Sequence, residues 1–198
     1  MVCLRKNCKS DVIKGLTMAN ADLLLQPLEH PRLSTETEWC CLGDVALLEA
    51  QRFEPVILSR SLAPDQIAAA YQKIEAAVKA GAVVVGGFIS SPEKNVARRL
   101  ASLPELKLIR VLPFSLQHYP LTPGAKRRIL EGKTLILSGF SAGDTALTRT
   151  NCIKMNRWIL QLCAAGIADE APVTSSLRPS SPSVCQMPPE HDPAAIFL

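Results

Sequence analysis

The sequence predicts an α/β fold, in which helices cover both faces of a parallel β-sheet. From Phe53 onward, short apolar β-branched runs alternate with amphipathic stretches, the order expected of strands separated by helices. The 198 residues are 47% apolar and only 5% aromatic, which suits one domain with buried aliphatic strands. The apolar pattern stops near Gly166, and six prolines follow residue 170. We therefore expect an N-terminal extension at 1–33, a folded domain at 34–168 and a Pro-rich disordered C-terminal tail at 169–198.

The elements follow one another at regular intervals. A helix that packs ahead of the sheet is predicted within 34–50, because Ser34 or Thr35 suits its start and an apolar run follows. Four strands are predicted at 53–59, 82–86, 106–112 and 134–138, with helices at 65–80, 91–103, 122–131 and 144–163. No β-branched run follows the last helix, so we expect that helix to be half uncovered and one sheet edge to be unpaired.

The loops after the four strands are the expected ligand site. Right-handed crossovers bring these loops to one edge of a parallel sheet, the carboxyl edge, where ligands of α/β proteins bind. The first of these loops carries Ser59 and Arg60. The others span 86–90, 114–119 and 139–141.

The second loop joins a strand to a helix through two glycines. Gly86 and Gly87 end the apolar run, and Ser91 and Pro92 follow as an N-cap and a first helical residue. Free backbone N–H groups and a helix dipole at one point suit an anion such as phosphate. The loop lacks the lysine of a P-loop and the third glycine of a dinucleotide-binding loop. A tight βα turn with no ligand is the alternative interpretation.

Positive charge is concentrated in the second half of the predicted domain. The chain carries a net charge of +4, and between Pro104 and Leu160 nine lysines and arginines face three acids. This excess favours a polyanion as partner, although a solvated helix face would have the same composition. Phe88, Phe114 and Tyr119 lie in the predicted edge loops, where aromatic rings could stack on bases. Burial in the core is the alternative and the commoner position for such rings.

The remaining composition excludes several kinds of site. The seven cysteines are odd in number and contain no C-x-x-C spacing, so we expect reduced thiols in a cytoplasmic protein. The three histidines lie far apart, so we expect no metal site and no histidine-based nucleophile system. We also expect no cofactor and no catalytic residues. No apolar run is long enough for a signal peptide or a membrane span. A second start at Met18 is a further expectation.

Several motifs, in their order and spacing, resemble the DprA/Smf family of DNA-processing proteins, especially its short Rossmann-like members. The resemblance covers about Gly43 to Cys163. Its motifs are Ser59-Arg60, the segment Val84–Lys94 with its Gly-Gly-Phe loop, Tyr119-Pro120, Leu135–Phe140, and Asn156-Arg157.

The resemblance implies a Rossmann-like domain that binds single-stranded DNA without catalysis, as in natural transformation. A RecA-type recombinase is the further partner that it suggests. A homodimer is a separate expectation, because a sheet with missing strands favours dimerisation. The implied phosphate- and nucleic-acid-binding residues are Ser59, Arg60, Gly86, Gly87, Phe88, Ser90, Ser91, Lys126, Arg127, Arg128, Asn156 and Arg157.

Two other functions stay open on the sequence. The related LOG-type phosphoribohydrolases and molybdenum-cofactor carriers bind nucleotide phosphates at the same loop, and Glu93 and Asp144 are the carboxylates placed for such chemistry. For Glu93 the alternative is a capping or helix-dipole role. The missing last strands suggest instead a remnant that needs a partner to complete its sheet.

Overall fold

The computed structural model describes residues 27–164, which form a five-stranded sheet and four α-helices. The strands are β1 (Cys40–Gly43), β2 (Phe53–Val56), β3 (Val83–Gly86), β4 (Lys107–Val111) and β5 (Thr134–Ser138). The helices are α1 (Pro64–Lys79), α2 (Ser91–Leu100), α3 (Pro123–Leu130) and α4 (Arg149–Ala164), and short 3-10 helices span Val45–Glu49 and Leu116–His118. The predicted tail and most of the predicted N-terminal extension lie outside the described residues.

The sheet is mixed rather than wholly parallel, with the strand order β1-β5-β4-β3-β2. The four predicted strands are parallel neighbours, as expected. β1 pairs antiparallel with β5 and was missed, because its four residues contain no β-branched side chain. The helix predicted within 34–50 is confirmed only at Val45–Glu49 and in the 3-10 form, because β1 takes up Cys40–Gly43.

Gly43 allows β1 to end directly against β5. Its φ is 123°, and a Cβ atom there would collide with the carbonyl oxygen of Thr134. The next residue, Asp44, caps the 3-10 helix by accepting from the backbone N–H of Ala46 at 3.1 Å. Only glycine combines this backbone angle with so close an approach.

Helices cover both faces of the sheet, as predicted. β2 to β5 lie side by side in chain order, so right-handed crossovers place α1, α2 and α3 on the same face. α4 returns across the opposite face, where Met155, Trp158, Ile159 and Leu162 are buried in the largest core cluster. The expectation of a half-uncovered last helix is wrong, because this apolar stripe is fully packed.

Both edges of the sheet are protected within the described chain. Pro27 forms a bridge to Cys40 on the outer side of β1. β2, at the other edge, contains Pro55, which has no N–H to offer a further strand. β1 also pairs the side of β5 that the sequence left open, so the expectation of an unpaired edge there is wrong.

An aromatic cluster connects the segment before β1 to α4. The ring centroids of Trp39 and Trp158 are 4.7 Å apart, and Phe140 meets Trp158 edge-on at 5.0 Å. The indole N–H of Trp39 donates to the carbonyl oxygen of Ser34 at 3.1 Å. Such aromatic pairs stabilise a core beyond the area that they bury.

Replacing Trp158 should therefore test whether α4 is an integral part of the domain. Trp158→Ala should lower the free energy of unfolding by about 3–5 kcal/mol, as expected for a large buried ring. Leu160→Ala on the same helix is the matched control, because Leu160 is 54% exposed. Urea denaturation should show a change within about 0.5 kcal/mol for the control. Equal effects of the two substitutions would contradict this packing.

Candidate nucleic-acid interface

The carboxylate of Glu93 lies at the centre of the carboxyl edge. Oε2 accepts from the backbone N–H of Ile89 at 2.7 Å and of Ser90 at 3.1 Å. Oε1 accepts from the backbone N–H of Leu58 at 3.1 Å, across to the loop after β2. Glu93 is only 6% exposed, so these charge-assisted bonds replace its contacts with water. The loop after β3 thus binds an anion, and that anion is a side chain of the protein.

Ser90 strengthens the same connection. Its Oγ accepts from the backbone N–H of Glu93 at 3.2 Å and donates to the carbonyl oxygen of Leu58 at 3.0 Å. Ser90 and Glu93 form the capping box of α2. This confirms the capping role that the sequence analysis gave as the alternative for Glu93. The N-cap is therefore Ser90 and not Ser91, which is exposed and is the first residue of the helix.

Phe88 contributes to the core and not to a stacking surface. Its side chain is 4% exposed and packs with Val56, Val84 and Val96. The expectation that its ring stacks on bases is wrong, because the ring has no free face. Its φ of 55° lies in the left-handed region, which is strained for a bulky residue and persists only where packing enforces it.

Gly87 lets α4 approach the loop after β3. A Cβ atom at Gly87 would collide with the side chain of Met155. Gly86 and Gly87 are both buried. Asn156, partly buried, and Arg157, exposed, follow Met155 on α4. The predicted glycines and this helix therefore meet at the carboxyl edge.

Arg60 is an exposed cation at this edge. Ser59 and Arg60 follow β2, two residues beyond the Leu58 backbone that Glu93 and Ser90 hold. Burial raises the pKa of the Cys152 thiol on α4, while the positive charge of Arg60 acts in the opposite direction. No carboxylate among residues 27–164 forms an ion pair with Arg60.

The three basic residues of α3 extend away from this edge. α3 begins at the carboxyl edge and ends at the opposite one, where Arg128 donates to the carbonyl oxygen of Leu106, just before β4, at 2.7 Å. Burial lowers the pKa of Arg128. Arg127 lies 3.8 Å from Glu131, and Lys126 is exposed one residue earlier. The helix direction carries Arg127 and Arg128 away from the glycine loop, while Lys126 lies in the first turn of α3. That these three residues bind nucleic acid stays a prediction.

The loops after β4 and β5 form a second connected pair. Ser138 Oγ donates to the carbonyl oxygen of Phe114 at 2.8 Å, and the N–H of Ser115 donates to the carbonyl oxygen of Asp144 at 2.9 Å. The Asp144 carboxylate accepts from both the N–H and the hydroxyl of Ser141. Asp144 therefore stabilises the turn that begins at Ser141, just as Glu93 stabilises the start of α2.

Other kinds of site find no support in the described chain. Among residues 27–164, no three His, Cys, Asp or Glu side chains are grouped so that they could hold a metal ion. The four cysteines of this region form no disulfide, and burial raises the pKa of Cys163 to about 12. No described helix is both long enough and apolar enough to cross a membrane.

Comparison with solved structures identifies the fold. The structure of DNA processing protein A from Helicobacter pylori, described for its mode of binding single-stranded DNA, matches 70% of this chain at 21% identity and a TM-score of 0.53. The chain has a DprA-like fold. The match spans 65% of the Helicobacter protein, slightly less than two thirds of its length. This is the fold class that the sequence predicts, with β1 added.

A second similar structure is that of DprA from Streptococcus pneumoniae, with 25% identity and a TM-score of 0.48. It covers 63% of this chain, which spans 43% of the Streptococcus protein. No family model and no curated protein matches the sequence.

Sequence reasoning missed two features of the DprA-like edge. One is the bond from Glu93 to the Leu58 backbone, 35 residues away, for which a local pattern contains no signal. The other is Arg110 on β4, whose guanidinium donates to the hydroxyl of Tyr119 at 3.1 Å. The available signal for Arg110 was its place within the apolar run Leu108–Leu112.

Glu93→Gln should test the role of the carboxylate. Glutamine keeps the shape but replaces one acceptor oxygen by an NH₂ donor, which would face backbone N–H groups. We expect the free energy of unfolding to fall by about 1–3 kcal/mol, measured by urea denaturation. Glu105→Gln is the control, since Glu105 is exposed and should change stability little. Equal stability of Glu93→Gln and wild type would contradict the role assigned to Glu93.

Proposed function

We propose that this chain binds single-stranded DNA at the carboxyl edge of its sheet, without catalysis. The observation that carries the proposal is Arg60, an exposed cation without an ion pair among the described residues, in the loop after β2 of a DprA-like fold. The Helicobacter relative is described as binding single-stranded DNA. Unpaired arginines at an exposed edge are suited to phosphate groups, which they contact through a planar fork of donors.

The phosphate contacts are made by side chains rather than by the glycine loop. Glu93 occupies the N–H groups of Ile89 and Ser90, so a phosphate would have to displace a buried carboxylate to reach them. Its negative charge also opposes a second anion at that point. Arg60 and Arg157, both exposed, are the cations of the predicted set that stay available near this edge.

The wider role follows the same resemblance. We propose that the chain acts in DNA processing of the kind used in natural transformation, in the cytoplasm, with a RecA-type recombinase as a partner. Two copies of the chain associating as a homodimer would place two carboxyl edges in one complex. Both proposals rest on DNA binding and are open to test once binding is measured.

A nucleotide hydrolase or carrier is less well supported. A general base must reach its substrate while keeping free lone pairs. Glu93 is buried and accepts three backbone hydrogen bonds, and Asp144 is held by Ser141. Neither carboxylate therefore meets these requirements for a general base.

DNA binding should be tested by fluorescence anisotropy of a labelled oligo-dT over a salt series. We expect saturable binding that weakens steeply with salt, because cations on the DNA are released. Arg60→Ala should weaken binding about tenfold, the loss of roughly 1.4 kcal/mol expected for one charge-assisted contact. Arg157→Ala should weaken it in the same direction.

Arg127→Ala is the matched control, since it removes one exposed arginine near the opposite edge. It should bind oligo-dT as the wild type does. Salt-independent binding, or equal losses in Arg60→Ala and Arg127→Ala, would contradict a site at the carboxyl edge. A folded wild type that leaves the anisotropy unchanged would contradict DNA binding itself.

A further inference from the structure

Arg110 presents a partly buried guanidinium that the fold does not neutralise. It lies on the central strand β4, between Gly86 on β3 and Ile136 on β5. Its Nη1 donates to the hydroxyl of Tyr119 at 3.1 Å, and its Cζ is 5.3 Å from the centroid of the same ring. Its Nε is buried and has no hydrogen-bond partner. One of five N–H donors is thus used.

The charge of Arg110 is equally unpaired. Within residues 27–164, no carboxylate lies within ion-pair distance of its guanidinium. The hydroxyl of Tyr119 is an uncharged acceptor. A buried N–H without a partner lowers stability, and buried charges are normally paired. Arg110 therefore lowers the stability of the fold, and its packing does not explain why an arginine stands at this position.

The surroundings of Arg110 favour an anion. Side chains alternate along a strand, so Arg110 shares its face with Leu108 and Leu112, which belong to the core clusters beneath the helices of that face. Tyr119 lies just before Thr122, the N-cap of α3, and the first turn of α3 contains no acid. The positive end of that helix dipole adds to the charge of Arg110.

We propose that Arg110 and Tyr119 form a second phosphate subsite, distinct from Arg60, for a phosphodiester group of the same single strand. The proposal rests on the proposed function and extends it from the loop after β2 to the loop after β4. Nη2 has no protein partner and is not among the buried atoms, so it is open to a phosphate oxygen. Tyr119 holds Nη1 and fixes the plane of the fork, which makes Tyr119 a positioning residue.

The test uses Arg110→Met, which removes the charge and the orphaned Nε while keeping an unbranched side chain. Its melting temperature should equal or exceed that of the wild type. Its affinity for labelled oligo-dT should fall about tenfold, and the salt slope should become shallower by about 0.7, the change expected for one lost phosphate contact. Lys107→Met, an exposed lysine three residues earlier on β4, should bind as the wild type does.

A second measurement separates this subsite from DNA binding as a whole. The Nε–H signal of Arg110 is the arginine signal that is missing from the ¹H–¹⁵N spectrum of Arg110→Met. In the wild type it should move when oligo-dT or inorganic phosphate is added, and the signal of Arg127 should not. If oligo-dT fails to bind but phosphate moves the Arg110 signal, the subsite stands and the proposed function fails. If neither ligand moves it, or if Arg110→Met binds oligo-dT like the wild type, the subsite is refuted.

Discussion

The arrangement of the carboxyl edge depends on one buried carboxylate. Glu93 joins three backbone N–H groups from two loops, those of Leu58, Ile89 and Ser90. It also begins α2 by closing the capping box with Ser90. A side chain that accepts hydrogen bonds from the backbone of both loops fixes the position of one loop relative to the other. Arg60, α2 and the strained Phe88 turn all take their positions from this contact.

The same contact determines how this edge can meet an anion. Glycine-rich junctions at the start of a helix usually leave their N–H groups to a ligand. Here the protein supplies the anion, and the cations stand around it. Arg60 lies beyond Leu58 on one side, and Arg110 lies on β4 on the other side of β3. A single strand of DNA, which carries a phosphate at every nucleotide, suits separated cations better than a single nucleotide does.

The sequence predicts the parallel strands and their helices because local hydrophobic patterns identify each of these elements. The run Val83-Val84-Val85 and the amphipathic α1 can be identified from periodicity alone. β1 could not be predicted, since Cys40–Gly43 is short, lacks β-branched residues and gains its pairing only from β5. The strands missing after the last helix suggested a remnant, and β1 supplies a neighbour of β5 that this hypothesis did not include.

The candidate site, like the fold, could be predicted only in part. The sequence places Arg60, the glycine loop and α4 at one edge, because topology alone brings them there. It could not show that Glu93 fills the anion position, since that depends on a contact with Leu58 across 35 residues. It also placed Arg128 with the others, because a charge count does not reveal that α3 runs to the opposite edge.

Amide hydrogen exchange at Leu58, Ile89 and Ser90, with and without saturating oligo-dT, tests this account most directly. If Glu93 holds these three N–H groups, they should be protected in the free protein, and DNA should leave their protection unchanged. Exchange as fast as in an exposed loop, or a clear change in protection when DNA binds, would contradict the claim that the protein's own carboxylate occupies the anion position.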